Sequence, residues 1–169
     1  MERFKTKLPS ILVVLGLATV GSLWLIPLEQ VSGQDTSQEE ANKALVTAFY
    51  DEAYDNRNAT AVDKYMADNF SSHVHTGADK QKFKEITHNS FSSFPDQQRT
   101  LISLIVDGDM VAMFNSWNAT FSGEDFYGTA ANGKPFTTAV ADLFRISDGQ
   151  IVEHWQIGDY SNFTRAIYG

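Results

Sequence analysis

Phe136–Trp155, FTTAVADLFRISDGQIVEHW, carries the signature of a β-hairpin with a single acid in an otherwise apolar first arm. Asp148-Gly149 suits a type I′ turn, because both residues tolerate the positive φ it demands and its twist matches that of the flanking strands. Counting from that turn pairs Ser147 with Gln150 and sets Asp142 opposite Trp155. Side-chain alternation then puts Phe136, Thr138, Val140, Asp142, Phe144 and Ile146 on one face, with Ile151, Glu153, Trp155 and Ile157 beside them. Arg145 and His154 fall on the opposite face. A carboxylate in so apolar a face must be hydrogen-bonded or neutralised by a raised pKa, and either condition suits proton transfer.

Upstream of the hairpin the chain changes period twice. RTLISLIV and MVAMFNSW, split by Asp107-Gly108-Asp109, read as another hairpin, and Asn132-Gly133 marks a further turn. Before them lie three helical stretches. Ser37 and Glu40 form a capping box for the first, whose stripe is Ala41, Ala44, Leu45, Ala48, Phe49 and Ala53 up to about Tyr54. A short second helix carries Val62, Tyr65 and Met66 and closes near Asp68. Phe70–His75 reads as a short strand, and Asp79 caps a third helix that ends at Pro95-Asp96. Helices first and consecutive hairpins after them predict an α+β domain with an antiparallel sheet curled over three helices.

At 169 residues and 43% hydrophobic the chain supports one domain with a core of its own. Residues 1–33 read as separable: Arg3, Lys5 and Lys7 precede the apolar run Ile11–Leu28, and Val31-Ser32-Gly33 is small enough for signal peptidase. Two readings stand, an export signal cleaved after Gly33 and an uncleaved membrane anchor. Residues 34–40 then form a polar linker and helix start, 41–160 the folded domain and 161–169 a C-terminal tail. Without residues 1–33 the 13 Lys+Arg fall to 10 and the 21 Asp+Glu to 19, a net charge of −9. Such an acidic domain repels phosphate backbones, so nucleic acid is not expected as a partner, and a membrane only through the N-terminal segment. Zero cysteines exclude disulfides, thiol catalysis and thiolate metal sites.

The run ADLFRISDGQIVEHW resembles the C-terminal hairpin of the SnoaL-like polyketide cyclases, within the nuclear-transport-factor-2-like superfamily of cone-shaped α+β domains. The resemblance extends in order and spacing from the helix near Ala41 to Tyr160. It implies that Asp142, the aspartate of a D-x-[FY]-R-I segment, is the catalytic acid/base. It also implies that His73, in Phe70-Ser71-Ser72-His73, is a pocket histidine in a Y-x-x-H pattern. The family's T-H-x-G segment is matched by Thr120-Phe121-Ser122-Gly123, so Phe121 stands where the cyclases keep a second catalytic histidine. Losing a polarising group of that kind removes transition-state stabilisation and puts the cyclase reaction itself in question. The family's habit of pairing through the outer sheet face implies a homodimer, with Ala139, Ala141 and Leu143 as the contact patch.

His73 and His75 could point two imidazoles one way on a strand, but without a third ligand they read as hydrogen-bonded or surface residues, and no metal is expected. With no phosphate loop, nucleophile elbow or dinucleotide fingerprint, no cofactor is expected either. The aromatic excess around one acid is consistent with a core and equally with an apolar-ligand pocket, for which Trp155, Phe144, Trp117, Phe121, Tyr65 and Val140 are the candidate lining. Two functions follow. One is an exported domain that binds a small, largely apolar carbonyl-type molecule, with acid–base turnover through Asp142. The other is a non-catalytic binding or dimerisation module whose cone is filled by its own side chains.

Overall fold

Asp148 and Gly149 both take positive φ, 50° and 71°, so the hairpin turn forms as its sequence demands. The computed structural model describes residues 33–74 and 77–169. The apolar run Ile11–Leu28, Val31 and Ser32 of the expected cleavage site, and His75 lie outside them. Helix α1 spans Gly33–Tyr50 and continues into a π-helical turn, Asp51–Asp55; a one-turn α2, Ala61–Tyr65, runs straight into β1, Met66–Ser72. Then come β2 (Ala78–Asp79), α3 (Lys80–Ser93), β3 (Gln98–Asp107), β4 (Met110–Thr120), β5 (Pro135–Ser147), β6 (Gln150–Asp159) and α4 (Ser161–Tyr168). The six strands form one curled sheet in the order β2-β1-β6-β5-β4-β3. Every pair is antiparallel except β1 with β6, which makes the sheet mixed.

The helices cover the inner face. Val46, Phe49 and Tyr50 of α1 and Phe83 of α3 join Met66, Val111, Met113, Phe144, Ile146 and Ile151 from the sheet in one buried cluster. Asp79 caps α3 as expected, accepting from the Lys82 amide at 2.8 Å. The stripe of α1 is rotated from the expected one: Ala41 and Ala44 are exposed, while Asn42, Val46, Phe49, Tyr50 and Ala53 are buried. Burying the larger side chains removes more apolar area from water than burying alanines does.

Several expectations are corrected. The stretch 34–38 is helical, so Ser37 and Glu40 lie inside α1 and do not start it. The second helix stops at Tyr65, and Met66 already belongs to a strand that ends before His73. The C-terminal tail is helix α4, which buries Ala166 and Ile167 and is tied back by Asn132 Nδ2 donating to the Ala166 carbonyl at 2.8 Å.

The correction with most consequence lies in the hairpin. Ser147 pairs with Gln150 as expected, but Ile146 faces Ile151 while Arg145 faces Glu153, so Val152 is surplus and forms a β-bulge. Val152 and Glu153 both miss the core. Beyond the bulge the faces of β6 exchange: Asp142 lies opposite Gln156, not Trp155, and His154 turns inward.

A second cluster closes the far end of the sheet, where Phe94, Ala119, Phe121 and Ile167 pack with Phe126, Phe136 and Phe163. Phe121 is fully buried there, 5.7 Å from Phe94 between ring centroids. Gly123 follows because a Cβ at that position would sit 1.9 Å from the Ser92 carbonyl oxygen. Phe121→His therefore leaves an imidazole without partners in an apolar cluster. It is expected to lower unfolding free energy by roughly 2–4 kcal/mol in urea denaturation; an unchanged midpoint would contradict this packing.

Candidate functional site

Asp142 is 1% exposed on the inner face of β5, and its two oxygens have different surroundings. Oδ1 lies 3.0 Å from His154 Nε2 and 2.7 Å from Gln156 Nε2. Oδ2 is buried without a close hydrogen bond among the described residues, and the Tyr50 phenol stands beside the carboxylate as a donor. With Asp142 ionised, His154 Nε2 must carry the hydrogen of their shared bond. The other ring nitrogen, Nδ1, is 3.1 Å from Ser72 Oγ, which itself accepts from the Val74 amide at 3.4 Å. Ser72 is thus free to donate its hydroxyl hydrogen to Nδ1, an arrangement that favours the neutral Nε2–H tautomer.

The strands build this chain of contacts. Parallel pairing sets Ser72 beside His154, and the bulge points His154 at Asp142. Phe144 stacks on the imidazole at 5.0 Å and Phe83 meets it edge-on at 5.2 Å, which excludes water from the pair. Gln156 is oriented in turn by the Tyr160 hydroxyl, which donates to its Oε1.

The carboxylate opens on a cleft of about 200 Å³ lined mainly by aromatic and aliphatic side chains from α3, β4, β5 and α4, with Tyr50, Tyr54 and Tyr160 among them. That is below the roughly 300–1,000 Å³ of drug-sized sites, so the occupant is compact. Burial, and after it the Asp142 charge, pushes the phenols of Tyr50 and Tyr54 well up and that of Tyr160 to about 12. All three remain hydrogen donors at neutral pH. One wall of the cleft therefore holds an acceptor and others hold donors. A larger cleft of about 770 Å³ beside α4, with Lys134 and Arg165 on its rim, does not include Asp142.

Of the residues expected at a site, Asp142, Val140 and Trp117 come together on the cleft. Phe144 and Tyr65 lie behind it in the core, Tyr65 donating its hydroxyl to Glu52 Oε2 at 3.0 Å. Phe121 belongs to the second cluster. Trp155 and His73 are stacked on each other at 4.5 Å away from the cleft; Arg145 lies over the Trp155 ring at 5.9 Å. His73 Nε2 is 3.1 Å from Glu153, whose carboxyl Arg145 first and His73 second hold below the usual range. The inward histidine is His154, which alternation had put on the opposite face. No pattern in the residues announces the bulge that inverts it. Gln156, Tyr50, Tyr54 and Tyr160 were likewise not singled out.

The family model for SnoaL-like polyketide cyclases matches residues 44–167. The chain belongs to the SnoaL-like polyketide cyclase family. No curated protein matches the chain significantly. Solved structures of similar fold include a protein from Jannaschia sp. CCS1 assigned as a SnoaL-like polyketide cyclase, 21% identical, with a TM-score of 0.70 over 77% of this chain and 93% of that one. A protein from Acidithiobacillus ferrooxidans assigned as a polyketide cyclase is 27% identical, with a TM-score of 0.61 over 75% of this chain and 94% of that one. AclR from Streptomyces galilaeus, assigned as a hydroxylase, is 19% identical, with a TM-score of 0.68 over 76% and 96%. The SnoaL-like fold supports a small-molecule-binding domain, and the cone, the cleft and the inward acid of β5 are its local form here.

The buried phenols have a measurable consequence for stability. Raised pKa values mean that, as pH climbs from about 10 towards 12, the folded chain keeps phenolic protons that the unfolded chain has lost. The stabilisation is complete below the unfolded value and disappears as pH rises through the folded one. Urea denaturation across this range is expected to show falling stability, with a shallower fall in Tyr50→Phe. Equal slopes in the two proteins would contradict the placement of Tyr50.

Proposed function

We propose that the domain binds a small, largely apolar, carbonyl-containing molecule and exchanges protons with it through Asp142. The observation that carries this reading is a 1%-exposed carboxylate on an apolar cleft, with Oδ1 held by two close donors and Oδ2 by none, the Tyr50 phenol standing beside it. Oδ1 is held by His154 and Gln156, which leaves Oδ2 to take a proton from the carbon next to a carbonyl and return it. Tyr54 is the available donor for the enolate oxygen that develops, since the Tyr160 hydroxyl is given to Gln156 and that of Tyr50 faces Asp142, and the family's second histidine does not fill that role here. His154 acts on Asp142, whose orientation and charge it stabilises. With Phe121 in a sealed cluster, the reaction is slow or differs from aldol cyclisation.

Asp142→Asn tests this directly. The amide oxygen can take over both bonds at Oδ1, while the NH₂ replaces an oxygen that has no close donor. Folding is therefore expected to survive with a melting temperature close to that of the wild type, and proton transfer is not. With 2-tetralone in D₂O, wild type should speed deuteration at the α-carbons and Asp142→Asn should not. Equal rates would overturn acid–base turnover; no chemical-shift change at Val140 or Trp117 on adding the ketone would overturn binding.

Export through residues 1–33 and pairing of two copies through the outer sheet face complete the proposal. Arg3, Lys5 and Lys7 before an apolar run support the first. Exposed Ile102, Ile105 and Ile157, on the same face as Ala139 and Ala141, support the second. Exported protein should have the mass of residues 34–169 and scatter light as a dimer. Recovery of the full chain in membranes would favour the anchor instead, and a monomer would refute pairing.

A further inference from the structure

Among the described residues every lysine and arginine is in an ion pair except Arg57, Lys134 and Arg165. Arg57 is occupied by the Phe91 and Phe94 carbonyls, to which it donates at 2.6 and 3.4 Å. The remaining two, Lys134 and Arg165, line the same cleft, the one of about 770 Å³ beside α4. In a chain of net charge −8 they are cations without an acid to meet them. Arg165 gives one N–H to Asn162 Oδ1 at 3.4 Å and keeps the rest of its guanidinium available. Asn162 in turn donates from Nδ2 to the Thr137 carbonyl at 3.3 Å, which fixes α4 beside β5 and both cations at that end of the cleft.

The floor between the cations and β3 is polar and ordered. Gln98, Asn118 and Thr137 stand opposite one another across β3, β4 and β5, on strands spaced about 4.8 Å apart. Thr137 donates its hydroxyl to Asn118 Oδ1 at 2.6 Å, so Asn118 Nδ2 is left as a donor to the cleft. At the β3 end Asp96 accepts from the Thr120 amide at 2.7 Å and is the one acid of the lining. A ligand charged along its whole length would meet that carboxylate. A small inorganic anion would satisfy the cations and leave the amide row unused, and a neutral sugar would do the reverse. The volume lies within the roughly 300–1,000 Å³ of small-molecule sites.

We propose that this cleft is a second binding site, for a monoanionic polyhydroxylated molecule of the sugar-acid class, its carboxylate held by Lys134 and Arg165 and its hydroxyl groups laid along Gln98, Asn118 and Thr137. Phe136 is the one residue lining both this cleft and that of Asp142, so the site does not depend on the chemistry of Asp142.

Titration of the ¹⁵N-labelled protein with D-glucuronate at low ionic strength, where exposed charges are least screened, tests the site. The amides of Asn118, Thr137 and Arg165 should shift and saturate at roughly millimolar ligand. Lys134→Gln and Arg165→Gln each remove a charge-assisted contact and should weaken binding about tenfold. Both side chains are exposed, so the variants should keep the wild-type spectrum away from the cleft. Asn118→Ala should weaken glucuronate and leave sulfate unaffected, and glucose should bind at least tenfold more weakly than glucuronate. Sulfate binding as tightly as glucuronate would overturn the sugar-acid class, and glucose doing so would overturn the role of the cations. No saturable shifts with glucuronate, or shifts unchanged in both cation variants, would overturn the site.

Discussion

The contact between Asp142 and His154 depends on one surplus residue. Without Val152, strict alternation would place Trp155 inside and leave a carboxylate among apolar side chains with little to hold it. The bulge instead presents an imidazole and a carboxamide to one carboxylate oxygen, so the close donors meet the charge on one side. Charge-assisted bonds of this kind contribute about 1.5–3 kcal/mol each, enough to keep an ionised group inside a small core.

The surrounding elements maintain that asymmetry. Ser72 occupies the last position of β1, and parallel pairing with β6 brings its hydroxyl to the far nitrogen of His154. Phe144 and Phe83 wall the imidazole off from water. At the other end Phe121 is fully buried in an aromatic cluster, at the position where the resemblance to the cyclases implies a histidine. The domain keeps the family's cone and places Asp142 on a cleft that Tyr50, Tyr54 and Tyr160 also line.

What the sequence disclosed followed from local rules. Asp148-Gly149 specified the turn, alternation along β5 placed Asp142 inward beside Val140, and Asp79 marked the start of α3, since each is decided within a few residues. The partner of Asp142 was hidden because a bulge is a property of pairing between strands, and one extra residue inverts every side chain beyond it. The same one-residue sensitivity misplaced His73: β1 ends at Ser72, so the serine turns in and the histidine turns out. Helix α4 was too short to display a period. Its buried Ala166 and Ile167, with Phe163 against the same cluster, acquire meaning only when the second cluster exists.

The central claim is that His154 donates from Nε2 to a buried Asp142, and the imidazole nitrogens report on it directly. Long-range ¹H–¹⁵N correlation spectra of protein labelled at histidine, assigned with a His154→Gln control, distinguish a protonated ring nitrogen from a bare one. The account predicts a protonated Nε2 at neutral pH whose hydrogen exchanges slowly with solvent, and a changed signal in Asp142→Asn. A bare Nε2, or a fast-averaging ring like that of an exposed histidine, would contradict it.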